Sequence, residues 1–235
     1  MSTSFPDDPS SPTWGRGGSL ALEPSVGAAY SNAWEVLKVD FWQLLLVGFV
    51  AWLLGGVVGG LLGSQSRGGA SALSGLYQIL IGTPIFYGAA YAWLRAVRGQ
   101  KPEVSDLFVP FQRYWLTSVL AGLLTEVIVV VGFILLIVPG IYLAVRLSFV
   151  PFIVVDEGRG PVEALTESWR RTEGFFWTIF GSGLLGIVVV IVGFVLLIVG
   201  SIPAFMLVYL AFASLYAAIT ARKLGAGAAD RGAAA

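Results

Sequence analysis

From Phe41 onward the chain alternates long apolar runs with short polar breaks, and within the runs the apolar residues are continuous rather than striped. The runs are Phe41–Gly63, Leu73–Val97, Tyr114–Val138, Gly140–Val155, Phe175–Val199 and Ile202–Ala221. A helix at the surface of a soluble protein carries one apolar stripe, whereas a helix that is apolar all round is buried in protein or lipid. All but the fourth run have the roughly 20 residues needed to cross a hydrocarbon core about 30 Å thick. The fourth has 16 residues and reaches about 24 Å as an ideal helix, so it is thin at one end or completed by the region around Pro151. The pattern predicts an all-α, polytopic membrane protein with six transmembrane helices paired as three hairpins. Its central stretch is VGFILLIVPGIYLAVRLSFVPFIVVDEGRGPVEALTESWRR, Val131 to Arg171, with the turn expected at Pro139-Gly140. A second tight turn is expected at Gly200-Ser201.

Two flanking segments are patterned differently. Ala28–Asp40 spaces Tyr30, Trp34 and Leu37 helically, with Glu35 and Lys38 between them. The connector VEALTESWRRTEGFF sets Val162, Leu165, Trp169 and Phe176 along one stripe and Glu163, Glu167, Arg170, Arg171 and Glu173 elsewhere. Such amphipathic helices lie in the membrane interface, where arginines meet anionic headgroups; the plainer reading is an elbow between hairpins. Arg170, Arg171, Trp169 and Arg113 are therefore the candidate lipid-headgroup contacts. Trp34 precedes Phe41-Trp42 by seven residues, Leu107 precedes Tyr114-Trp115 and Trp169 precedes Phe176-Trp177 by the same interval, and VGFILLIV at Val131 is echoed by VGFVLLIV at Val192. These spacings predict a threefold internal repeat, although the aromatic belt at a membrane surface selects such pairs by itself.

Composition agrees with lipid as the main solvent. Hydrophobic residues make up 57% and charged residues 12% of the chain, about half the charge that an ordinary globular surface carries, and mean hydropathy is +0.83. Formal net charge is zero, so no global field attracts nucleic acid. There is no cysteine and no histidine, which removes disulfides, thiolate nucleophiles and the usual ligands and general bases of metal and acid–base sites. No nucleotide loop or metal motif is present, and no cofactor is expected. Residues 1–27 are rich in Ser, Pro and Gly and read as a disordered tail without the basic start and apolar core of a secretory signal. The membrane domain covers residues 28–223, and residues 224–235 read as a second flexible tail. Basic residues fall on one side: Arg16 and Lys38, then Arg95, Arg98, Lys101 and Arg113, then Arg159, Arg170 and Arg171, then Arg222, Lys223 and Arg231, against Arg67 across the membrane. The positive-inside bias places both termini and the amphipathic connectors on the cytoplasmic side.

Two ionisable residues lie inside runs, Glu126 in the third and Arg146 in the fourth. Each costs about 2.5–3.5 kcal/mol at mid-bilayer unless partnered or hydrated. With Gln78 and Thr83 as neighbours they form a candidate intramembrane polar site for a proton or substrate path. Measured from Pro139, however, Glu126 lies about 20 Å back and Arg146 about 10 Å forward, which argues against a simple ion pair. The alternative is that Glu126 is protonated or bonded within the bundle while Arg146 reaches backbone carbonyls. Thr83-Pro84 is a kink, either a hinge or static packing. Gly55, Gly56, Gly59 and Gly60 form overlapping small-xxx-small pairs, read as packing within the chain ahead of dimerisation.

RAVRGQKPEVSDLF, followed by IVPGIYLAVRLSFVPFIVVDEGRGPVEALTESWRRTEGFFW, resembles the bacterial six-helix membrane proteins related to the membrane domain of glycerophosphoryl diester phosphodiesterases. The resemblance covers roughly Ala28 to Arg222 and rests most on Pro139-Gly140-Ile141, Arg146, Pro151, Asp156-Glu157, Ala164, Ser168 and Trp169. It implies a six-helix fold and a cytoplasmic-membrane location. In that family the membrane domain is sometimes fused to a soluble phosphodiesterase barrel; this chain has no histidines for such a site, so the resemblance carries over no catalytic residue. The expected function is a non-enzymatic accessory, scaffold or lipid-contacting subunit whose partners are membrane lipids and either other membrane subunits or a second copy. A small transporter or channel built on Glu126 and Arg146 is the alternative.

Overall fold

The computed structural model describes residues 24–64, 72–196 and 198–233, and among these it is all-helical. The loop expected to carry Arg67 and the first 23 residues lie outside the described residues. The helices are α1 (Val26–Val39), α2 (Phe41–Trp52), α3 (Val58–Ser64), α4 (Ala72–Tyr77), α5 (Thr83–Val97), α6 (Trp115–Leu135), α7 (Ile137–Arg146), α8 (Val150–Glu157), α9 (Pro161–Thr172), α10 (Phe176–Leu196) and α11 (Ile198–Ala233). Five helical stretches are long and apolar enough to cross a membrane: Phe41–Leu61, Val104–Leu135, Ile137–Glu157, Phe176–Gly193 and Pro203–Lys223. These are the marks of a multi-pass membrane protein.

The second run is helical from Ala72 to Val97 but is not one of the five. Gln78, Thr83 and three tyrosines dilute its hydropathy, and the fold explains why that is tolerated. Eleven of the fifteen α5 residues are buried, because α2, α6, α8 and α11 surround the helix. A helix wrapped in protein has no need of a lipid-facing surface. Small residues allow the close approach: Ala89, Ala90, Ala92 and Ala96 on α5, and Ala211, Ala213, Ala217 and Ala218 on α11. Gly88 is the tightest point. A Cβ there would meet the Leu107 carbonyl oxygen at 2.3 Å, so the connector after α5 packs directly against the helix backbone.

Two expected turns move. The break between α6 and α7 is at Leu136, in extended backbone (φ −166°, ψ 151°), and Pro139-Gly140 belong to the first turn of α7. Proline is welcome there because its missing N–H is one of the donors a helix start leaves unused. Gly140 then packs on Phe133 and Gly132 on Gly140, closing the hairpin. Likewise α10 ends at Leu196 and α11 begins at Ile198, so Gly200-Ser201 are already helical. The octet VGFILLIV therefore straddles the break at Leu136, while the corresponding residue of VGFVLLIV, Leu197, lies outside the described residues. The fourth run is two helices, α7 and α8, separated at residues 147–149.

Of the helically spaced Tyr30, Trp34 and Leu37, only Trp34 turns away from the protein on α1. Ala29, Ala33 and Leu37 are buried against α11, Asn32 Nδ2 donates to Ser214 Oγ at 3.0 Å, and Tyr30 OH donates to the Ser182 carbonyl at 2.8 Å, while Trp34 faces outward. Four-residue spacing of small side chains lets α1 dock closely, which a tryptophan would prevent.

Gly88→Ala is expected to destabilise the fold by about 1–3 kcal/mol, since the obstructing atom is backbone and has no rotamer to give way. Thermal unfolding in detergent checks this, with Gly60→Ala, which meets nothing within 4 Å, as the neutral control.

Candidate functional site

Two polar assemblies stand out, a charged clamp at one end of the bundle and a groove among the helices. The clamp begins with α8 ending in Asp156-Glu157 and Gly158 taking a left-handed conformation (φ 63°) that turns the chain into α9. Side chains with i,i+4 spacing on α9 then share one face, so Ala164, Glu167, Ser168, Arg171 and Thr172 all point inward. Arg171, only 6% exposed, donates Nε to Glu167 Oε1 at 2.7 Å, Nη1 to Tyr216 OH at 2.9 Å and to Thr220 Oγ1 at 3.1 Å, and Nη2 to Glu157 Oε1. Tyr216, on α11, donates its hydroxyl to Asp156 Oδ2 at 3.1 Å. Asp156 in turn receives both amino groups of Arg98, one of them at 2.7 Å. Arg170 forks onto Glu167 at 2.7 and 2.9 Å, and Arg159 donates to Glu157 Oε2 at 2.6 Å. One network thus ties the end of α5 to α8, α9 and α11. Burial opposes the charge of Glu167, yet the hydrogen bonds from Arg170 and Arg171 outweigh it and hold the carboxyl down to about 2.

This corrects the reading of Arg171 as a headgroup contact, because its guanidinium is consumed inside the protein. The stripe on α9 does face outward, at Val162 (69% exposed) and Trp169 (41%), while the charged residues divide: Glu167 and Arg171 are buried and Glu163, Arg170 and Glu173 are exposed. Amphipathicity states that two faces differ without stating which one meets the core. Arg170 and Arg113 do remain exposed. Asp156, Glu157, Glu167, Tyr216 and Thr220 were missed as site residues. The available signal was a pair of acids 14 residues ahead of a pair of arginines, with a lone tyrosine near the basic end of the last run.

Arg146 is held separately. It donates Nε and Nη2 to Tyr142 OH at 3.0 and 2.8 Å and lies over the rings of Tyr142 and Trp169, each 5.1 Å from the guanidinium carbon. Its carbonyl, freed at the α7–α8 break, accepts from Ser168 Oγ at 2.8 Å. The expectation that Arg146 reaches backbone carbonyls is met by the Trp169 carbonyl at 3.5 Å, and the Tyr142 hydroxyl and the two rings are its nearer partners.

The remaining three candidates converge. Gln78, Thr83 and Glu126 line one groove of about 890 Å³ between the 72–97 rod, α6 and α8, together with Thr125, Gly122 and Pro151. Glu126 lies 11 residues after Trp115 and 9 before Leu135, about 14–16 Å from either end of α6. The groove opens sideways onto exposed apolar residues, Leu123, Val127, Val130 and Val131. Gln78 is fixed from two sides: a Cβ on Gly59 would strike its Nε2 at 2.5 Å, and one on Gly82 its Oε1 at 2.1 Å. Its Nε2 donates to the Gly55 carbonyl at 2.9 Å and Tyr77 OH to that of Leu54. Those carbonyls sit in a π-helical turn, Leu53–Val57, that faces a second one at Gln78–Gly82. Of the glycine ladder, then, Gly59 makes the interhelical contact, Gly55 supplies only its carbonyl, Gly60 meets nothing, and Gly56 meets only Trp52 of its own helix. Pro84 leaves the Leu80 carbonyl without its helical donor, and Trp115 Nε1 supplies one at 3.0 Å, so the kink is braced rather than hinged.

Comparison with protein-family models, with curated proteins and with solved structures finds no match to the chain.

Arg171→Met leaves Glu157 and Glu167 short of a partner and is expected to cost about 3–5 kcal/mol of stability. Because the Glu167 carboxyl is depressed to about 2, its contribution is complete above its ordinary value near 4.5 and is lost as pH falls toward 2. Melting temperature measured from pH 6 to pH 2 should fall over that window, and Glu167→Gln should flatten the fall.

Proposed function

We propose that this chain is a non-catalytic, lipid-contacting accessory protein of the bacterial cytoplasmic membrane. Its six helical rods cross the bilayer as three hairpins, formed by α2–α3 with the 72–97 rod, by α6 with α7–α8, and by α10 with α11. Both termini, α9 and the connector carrying Lys101 lie on the cytoplasmic side. The basic residues support this orientation, since the clamp collects Arg98, Arg159, Arg170 and Arg171 at one end of the bundle. The echoed octets favour descent from a repeated hairpin. The resemblance to six-helix membrane domains points the same way on fold and location.

The observation that carries the functional reading is the separation of the two intramembrane charges. A transport path built on Glu126 and Arg146 needs both to face one conduit. Arg146 is instead engaged by Tyr142 and Trp169, and Glu126 faces a groove that opens to the side, onto the apolar flank where acyl chains lie. Such a groove suits lipid rather than a through-going solute. Headgroup contact falls to Arg170, Arg113 and Trp169.

The absence of native cysteine makes single-cysteine labelling clean. Lys101→Cys is expected to react with an impermeant maleimide only in inside-out vesicles and Arg67→Cys only in right-side-out ones; the opposite pattern defeats the orientation. Native mass spectrometry in mild detergent should find phospholipid retained on the purified chain, and a lipid-free chain under those conditions defeats the lipid-contacting reading.

A further inference from the structure

Glu126 is exposed on the flank of α6, at a depth where there is no bulk water to meet it. The helix runs Trp115–Leu135, which sets the carboxyl about 14–16 Å from either end. An ionisable side chain so deep normally faces the bundle interior, a water-filled cavity or an opposite charge. Glu126 instead lines a groove that opens sideways, and among the described residues it has no hydrogen bond or ion pair. The surface around it has the form of a seam for another helix. The exposed face of α6 is Leu116, Leu120, Leu123, Val127, Val130 and Ile134, in alternating steps of four and three. That is the a/d spacing by which membrane helices, like soluble coiled coils, pack at about +20°. Glu126 directly precedes Val127, which puts it at position g of the same heptad, where a charge flanks the seam and selects the partner.

The chemistry beside the seam says which side chain the partner brings. Gln78 spends its nitrogen on the Gly55 carbonyl, which leaves Oε1 unused, and Thr125 Oγ1 is buried without a partner among the described residues; both line the groove with Glu126. A carboxyl, an amide oxygen and a hydroxyl together call for a group that is all donor, and on a helix that is the ammonium of lysine or the guanidinium of arginine. A basic residue alone at mid-span is as unfavourable as Glu126 alone, so each answers the other's charge. A second copy of this chain does not supply it. Its own intramembrane cation, Arg146, is taken by the Tyr142 hydroxyl and the rings of Tyr142 and Trp169, and a two-fold pairing through α6 sets Glu126 at the depth of its own image. We propose that this flank docks a transmembrane helix of a different protein that carries a lysine or arginine near its midpoint, with Glu126 as the counter-charge and the Leu116–Ile134 face as the packing surface. The proposal rests on the accessory reading and adds the kind of partner to it.

The test uses the full chain in lipid bicelles and dye-labelled synthetic helices of about 20 leucines and alanines. One probe has a lysine at its centre, one has leucine there, and one has the lysine moved two turns toward an end; binding is read by fluorescence anisotropy. The central-lysine helix is expected to bind about tenfold more tightly than the all-apolar helix, and the displaced-lysine helix no more tightly than the all-apolar one. Glu126→Gln, which breaks no contact within the chain, should keep the wild-type melting temperature and reduce the preference to within about twofold. Equal binding of the central-lysine and all-apolar helices, or a preference that survives Glu126→Gln, overturns the charge pairing. Equal binding of the central and displaced lysines overturns the match in depth and the mid-span partner with it. Self-association of the wild type that Glu126→Gln abolishes makes a second copy the occupant and overturns the proposal. Phospholipid retention in detergent is scored separately: its loss with the lysine preference intact removes lipid contact alone, and loss of the preference with phospholipid retained removes the partner helix alone.

Discussion

Arg171 is a charge withdrawn from water at the margin of a lipid-solvated protein, and the architecture around it follows from meeting that charge. A guanidinium so placed is tolerated only when nearly all of its donors are answered. Glu167, Glu157, Tyr216 and Thr220 do this, and they come from three different helices. Each acceptor is itself committed elsewhere: Glu167 to Arg170, Glu157 to Arg159, and Tyr216 to Asp156, which holds Arg98. Removing lipid-facing apolar surface gains nothing between helices in a bilayer, so close packing and interhelical hydrogen bonds must supply specificity. Here they are concentrated where the rods end. Tyr216 is the junction, fully buried, stacked on Phe152 with ring centres 5.4 Å apart and edge-on to Phe149.

The residues on which the family resemblance rests lie largely in this region. Asp156 and Glu157 are members of the clamp, Ala164 is the small inward residue that lets α9 approach, and Ser168 and Trp169 hold Arg146. In space these letters divide between the clamp, the neighbouring Arg146 contact and, at Pro139-Gly140, the start of α7. The motif bears on how the helices are held together and says nothing about chemistry performed on a substrate.

The rods were legible because lipid leaves few options for a chain with so little charge: every backbone group must be satisfied within the helix, and apolar runs of about 20 residues follow. Their junctions were less legible. Pro139 was read as a turn because proline breaks helices, yet the same property suits it to a helix start, and nothing local distinguishes the two uses. The inward alanines of α1 were not singled out because aromatic residues weigh more than alanine in any hydropathy pattern, while docking against another helix favours alanine. The burial of Glu167 and Arg171 on α9 was missed because a polar stripe looks the same whether it meets water or a buried counter-charge. For the candidate site, Gln78, Thr83 and Glu126 were found by their polarity alone, and all three line one groove. Thr125 was passed over as an ordinary span residue. Arg146 was grouped with them for its charge, although the aromatic side chains that claim it, Tyr142 and Trp169, are 4 and 23 residues away and the second could not be assigned by spacing.

The two π-helical turns that face each other at residues 53–57 and 78–82 carry a consequence for phase. Each amounts to one residue more than a regular helix needs, and one residue is about 100° of rotation about the axis. Gly59 meets Gln78 only because the extra residue at 53–57 has already turned the helix. Trimming one position from either turn would restore regular winding and swing everything beyond it by more than a quarter circle, while leaving composition and hydropathy almost untouched. In this chain single-residue deletions should therefore be far less forgiving than substitutions at the same positions, an asymmetry set by angular bookkeeping rather than by side-chain chemistry.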